Sequence, residues 1–109
     1  MFALQGRFGE ARALFADVRA IFVELDNKQG LSVMAFSTAP LELLAGDLAA
    51  AERELRAALD LTREMGDRSR VPNLSALLAD VLIEQDRVDE AERYVDVARE
   101  AVQIGDASG

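Results

Sequence analysis

The side chains that ordinarily carry hydrolytic and metal chemistry are thinly supplied in this sequence of 109 residues, which contains neither histidine nor cysteine. Their absence removes the commonest general base and metal ligand near neutral pH, and with them thiolate nucleophiles, disulfides and Cys-based zinc sites. Carboxylates remain. Glu52 with Glu54, and Asp89 with Glu90, are pairs of the kind that bind a divalent cation or share acid–base work. Their polar context on a helix face and at a helix start reads them as solvated surface charge. Gly6 and Gly9 open a helix without the G-x-x-x-x-G-K-[ST] pattern that cradles a phosphate, so they read as a turn glycine and a surface glycine. Glu42 stands apart, because its counterpart one repeat later is the apolar Leu82 and its register points into a helix interface. A carboxylate buried there needs a partner, either a structural salt bridge or, in the alternative, a ligand. No catalytic residue, metal ligand or cofactor is expected.

Composition bounds the rest. Half of the residues are hydrophobic, enough to bury a core, so a folded domain is expected in place of a disordered chain. With 20 acidic against 12 basic residues the net charge is -8, which disfavours phosphate backbones and anionic membrane surfaces as partners. The apolar stretch Leu77 to Ile83 is interrupted by Asp80 and falls far short of the roughly 20 residues that span a bilayer. The opening residues lack the basic, apolar and small-residue segments of a secretory signal.

The elements that would carry any site emerge when the sequence is laid against itself at an offset of 40 residues. Gly6, Gly46 and Asp86 align, and behind them Phe8, Leu48 and Val88; Ala11, Ala51 and Ala91; Phe15, Leu55 and Val95; Val18, Ala58 and Ala98; and Ile21, Leu61 and Ala101. Steps of three and four put these five apolar positions on one face of a helix. Helices are therefore predicted at about Phe8–Leu25, Leu48–Met65 and Val88–Gln103. Glu52, Arg53, Arg56, Asp60 and Arg63 take the solvated face of the middle one.

A second apolar segment precedes each of these, at Leu31–Ala45 and Val71–Gln85, with Met1–Gln5 in register as the end of an earlier one. Each unit is then a helical hairpin. Gly46 suits a left-handed C-terminal cap and Asp47 the N-cap that follows, while Asp26–Gly30 and Gly66–Arg70 read as turns between units. Pro72 sits harmlessly at a helix start. Pro40 falls mid-segment and is expected to kink or break its helix. Domain organisation follows as a single unit, 1–109, with repeats 1–30 (truncated at its start), 31–70 and 71–109.

The segment Leu44-Ala45-Gly46-Asp47-Leu48-Ala49-Ala50-Ala51-Glu52 through Leu55 and Ala58 resembles the G-D-Y-x-E-A-x-x-x-[YF]-x-x-A core of a tetratricopeptide repeat. Gln85-Asp86-Arg87-Val88-Asp89-Glu90-Ala91 through Val95 and Ala98 is similar to it again, as is Gln5-Gly6-Arg7-Phe8-Gly9-Glu10-Ala11 through Phe15 and Val18. The first-helix signature of Trp, Leu-Gly and Tyr is absent, replaced by Ala35, Thr38, Ala39 and Glu42 and then by Ser75, Leu78, Ala79 and Leu82. The period also exceeds the family's roughly 34 residues. Both departures resemble the repeats of multidomain actinobacterial regulators that join a cyclase, ATPase or LuxR-type DNA-binding module.

This resemblance implies an all-α, right-handed solenoid of antiparallel hairpins, about five helices in all, acting as a cytoplasmic protein–protein interaction scaffold without catalysis of its own. The alternative is a regulatory C-terminal part of a cyclase or ATPase whose catalytic sites lie outside this chain. In the family, first helices line the concave side, so the register assigns Val33, Phe36, Pro40 and Leu43 together with Asn73, Ala76, Asp80 and Ile83 either to a partner groove or to packing against neighbouring helices of an intact array. The expected partner is a protein, a peptide or a neighbouring domain of a parent chain, not nucleic acid or membrane. Because Met1 falls inside a hairpin under way, a fragment with a raw N-terminal end is expected, with exposed apolar surface near Phe8 and Phe15 covered by self-association or by docking.

Overall fold

A computed structural model describes residues 7–108, with side chains as far as Glu100. Over these residues the chain is all-α, without a strand. Helix α1 spans Phe8–Glu24, α2 Lys28–Ala45, α3 Leu48–Met65, α4 Val71–Glu84 and α5 Val88–Ser108. The apolar periodicity therefore located α1, α3 and α5, and the apolar segments between them α2 and α4, with α5 continuing past the expected Gln103. Met1–Gln5, expected to end an earlier helix, lies outside the described residues.

One local expectation is corrected and another is narrowed. The turn expected over Asp26–Gly30 is shorter, because Asn27 caps α2 by accepting the Gly30 amide at 2.9 Å and draws Lys28, Gln29 and Gly30 into the first turn. Gly30 also has a packing role, since a Cβ there would lie 2.9 Å from the Phe22 ring. Pro40 does not break its helix: α2 is continuous through it, although the Phe36 carbonyl loses its amide donor. Thr38, Ala39 and Leu41 are buried on either side of the proline, and that packing holds the helical path.

All four links use one device. The amides of Asn27, Asp47, Asp67 and Arg87 bond back to the carbonyls of Phe22, Glu42, Thr62 and Leu82, while the residue before each bonds to the next carbonyl along. This is the paired hydrogen-bond pattern of a Schellman cap, which requires a left-handed residue. Asp26, Gly46, Gly66 and Asp86 supply it, with φ of 53°, 83°, 69° and 62°. These positions are 20 residues apart, so each 40-residue unit is two helix-plus-turn modules of equal length. Starts at Phe8, Lys28, Leu48 and Val88 keep that spacing; α4 alone begins late, at Val71.

Each helix packs against its neighbours in the chain, most extensively α2 on α3 and α4 on α5. Links of only a few residues make such neighbours antiparallel hairpins. The core lies in the middle, where Leu55, Leu59, Leu74, Leu78, Val81 and Leu82 are sealed among Ala35, Ala39, Ala51, Ala58, Ala79 and Ala91. Alanines at these positions let the helix axes approach closely while leucines fill the space between. The predicted apolar face is deepest in α3, where Ala51, Leu55 and Ala58 are buried, and fades outward: Val18 and Ile21 in α1, and Val88 and Val95 in α5, are exposed.

Candidate functional site

Of the eight predicted groove residues, Phe36 and Leu43 are half-buried and pack against the core. Pro40 is half-buried beside them, while Val33, Asn73, Ala76, Asp80 and Ile83 are exposed. Val33 lines a shallow depression with Phe15, Val18, Phe22 and Met34 from α1 and α2. Ile83 belongs to another, with Val88, Glu92 and Val95 on α5. The two residues thus serve different surface features, each where first and second helices meet.

The carboxylate pairs do not converge either. Glu54 accepts from the Thr38 hydroxyl at 2.9 Å and pairs with Arg19, tying α3 to α2 and α1. Glu52 turns the other way, accepting from Arg56 and Arg87 at 2.8 Å each and from the Gln85 amide at 3.0 Å. Glu90 receives the other ends of both guanidinium groups, and Asp89 points to solvent. Tyr94 completes the cluster, its hydroxyl accepting from Arg56 at 2.8 Å and its ring lying 5.6 Å beneath the guanidinium. Glu52 and Arg56 are therefore half-buried partners across the α3–α5 boundary and not members of a solvated face.

Electrostatics fit that placement. Burial opposes ionisation of Glu52, yet donors from Gln85, Arg56 and Arg87 hold its pKa below the ordinary carboxylate value. Hydrogen bonds from Arg56 and then Arg87 lower that of Glu90. Burial opposes the charge on Arg56 as well, but Glu52 and Glu90 raise its pKa. Carboxylates held ionised by several donors are poor proton acceptors, so the cluster acts as a clamp. Glu42 is likewise matched: Arg12 of α1 donates to it through two nitrogens, one at 3.0 Å, the salt bridge its register suggested. Among the described residues no group of three or more carboxylates is placed to hold a metal ion, and no helix is long and apolar enough to cross a membrane.

A cleft of about 770 Å³ opens where α4 starts late, between Thr62, Gly66, Val71 and Pro72 on one side and Val97 and Glu100 on the other. Asp67 orders its rim, accepting from the Ser69 amide and hydroxyl and pairing with Arg70. The Ser69 hydroxyl and amide, followed by Arg70, lower the Asp67 pKa.

The most continuous exposed apolar surface is on α1, which buries no residue fully. Phe8 and Phe15, expected to be its exposed part, are half-buried, as is Phe22; the stripe left open is Leu14, Val18, Ile21 and, just past the helix, Leu25, between 37% and 68% exposed. Its spacing of 4, 3 and 4 was visible in the sequence beside the seven-residue recurrence of the three phenylalanines. Comparison with protein-family models, curated proteins and solved structures finds no match for this chain. The tetratricopeptide likeness thus rests on the residues and their register.

Proposed function

We propose that this chain is a protein–protein interaction scaffold, a tetratricopeptide-like segment whose hairpins stack as a right-handed solenoid and which performs no catalysis of its own. The observation that carries this reading is the regularity of the modules: four identical caps 20 residues apart join helices that pack on chain neighbours. Such quasi-linear stacking builds extended surface in preference to an enclosed site. The clustered charges support it too, since they tie helix to helix. The setting in which we place it is a cytoplasmic bacterial regulator, with units 31–70 and 71–109 as complete repeats. The partner surface we assign is the exposed part of the first helices, Val33 on α2 and Asn73, Ala76, Asp80 and Ile83 on α4.

Photocrosslinking from Asn73, Ala76 and Ile83 in cells tests this. A discrete protein adduct is expected, identified by mass spectrometry and lost on Asp80→Lys. Absence of any adduct from all three positions, or adducts indifferent to Asp80→Lys, would overturn the groove.

A further inference from the structure

The exposed stripe of α1 has a charge pattern that says what covers it. Viewed down the helix, Leu14, Val18, Ile21 and Leu25 occupy one face, with the half-buried row of Phe8, Phe15 and Phe22 leading from it to α2. On the other flank runs a second row with the same seven-residue spacing, Glu10, Asp17 and Glu24, all exposed. Glu10 pairs with the exposed Arg7 at 2.8 Å; Asp17 and Glu24 form no ion pair among the described residues, and the arginines of this helix that reach its neighbours, Arg12 and Arg19, lie away from the row and are taken up by Glu42 and Glu54. The stripe is thus an apolar seam bounded by the fold on one side and by negative charge on the other.

This acidity belongs to α1. Forty residues on, the equivalent row of α3 is Ala50, Ala57 and Glu64, beside a stripe of Glu54, Ala58, Leu61 and Met65, of which Ala58 is buried and the rest are half-buried. Where α1 carries the exposed Glu10 and Asp17, α3 carries the buried Ala50 and the exposed, uncharged Ala57.

We propose that this seam is the docking site for an amphipathic helix of a partner protein, one with apolar residues at three- and four-residue spacing and Lys or Arg along one flank. It rests on the scaffold reading and meets the α2–α4 strip only at Val33, its stripe and acidic row lying on α1. The apolar contact supplies affinity and the acidic row supplies orientation and choice of partner. From Leu14 to Leu25 the seam is about 16 Å long at 1.5 Å per residue, three turns of a partner helix. The depression lined by Phe15, Val18, Phe22, Val33 and Met34 adjoins it and offers a seat for one large apolar side chain. A second copy of this chain fits poorly, because a symmetric antiparallel contact sets Glu10, Asp17 and Glu24 of one α1 beside the same row of the other.

The test uses the full chain and two labelled synthetic 16-residue helical peptides with the same leucine spacing, one flanked by lysine and one by glutamate. Fluorescence anisotropy is expected to show the basic peptide binding at least about tenfold tighter than its acidic twin, a gap of one charge-controlled decade, with binding weakened by added salt. Asp17→Lys with Glu24→Lys, exposed sites whose replacement is expected to leave circular dichroism unchanged, should cancel or reverse the preference. Failure of the basic peptide to bind, or equal binding of both twins to the unmodified chain, overturns the proposal. So does a dimer in sedimentation that Ile21→Ser converts to monomer, which would assign the seam to a second copy. Adducts from Asn73, Ala76 and Ile83 report on the other face, so the groove and the seam fail separately.

Discussion

At the scale of single residues, the informative positions are polar groups that the fold has surrounded. Ser75 is fully buried in α4 and its Oγ has no hydrogen-bond partner among the described residues. Its counterpart one repeat earlier is Ala35, equally buried. Ser75→Ala should therefore raise stability by about 1 kcal/mol, the cost of a buried hydroxyl left unpaired, seen as a higher urea midpoint. The Glu52 cluster predicts the opposite response. Because Glu52 and Glu90 have folded pKa values below their ordinary ones, their contribution is present above the unfolded value of about 4.3 and is lost as pH falls through the folded values. The urea midpoint should therefore fall as the pH is lowered below about 5. Glu52→Gln should lower stability at pH 7 by about 1 kcal/mol, as expected for a half-exposed ion pair, and reduce the loss on acidification. Little of this cluster was legible beforehand. Arg56 meets Glu90 and Glu52 meets Arg87 across more than 30 residues, and no local spacing announces such a contact. The one trace is that Arg87–Glu90 repeats the pairing of Arg7–Glu10 eighty residues earlier.

At the scale of elements, the four caps decide where one helix stops and the next begins. Two of them place aspartate in the left-handed region, Asp26 and Asp86, where a side chain costs roughly 1 kcal/mol or more relative to glycine. Asp86→Gly should leave stability unchanged or raise it, whereas Gly46→Ala should lower it by about 1 kcal/mol, both read by thermal unfolding; equal effects would mean that the caps do not set the turns. Pro40→Ala belongs here as well. Because α2 already runs helically through this position, alanine restores a donor for the Phe36 carbonyl and should stabilise by about 1–3 kcal/mol. Destabilisation on this substitution would show that the helix path needs the proline. The second helices were readable because their apolar positions recur in register. The half-length module was not, because the first helices keep the cap spacing while Ala35, Thr38 and Ala39 share no obvious signature with Ala51, Leu55 and Ala58. Asn27 shortened its turn through a capping bond that the Asp26–Gly30 composition concealed.

At the scale of the whole molecule, stability is expected to be graded. In a stack where each helix touches its chain neighbours, the inner helices α3 and α4 are covered on two sides and hold the fully buried leucines, while α1 rests on α2 and buries none of its residues completely. Local opening free energies should follow that order. The same gradient bears on function, since an outer helix with an open apolar seam gains most from a partner, whereas a uniformly rigid bundle would have no unfinished edge. Native-state hydrogen exchange of the full chain, read amide by amide, measures this directly. The predicted result is strongest protection in α3 and α4 and protection in α1 lower by at least about tenfold. Equal protection across all five helices, as in a single cooperative bundle, would contradict the modular account.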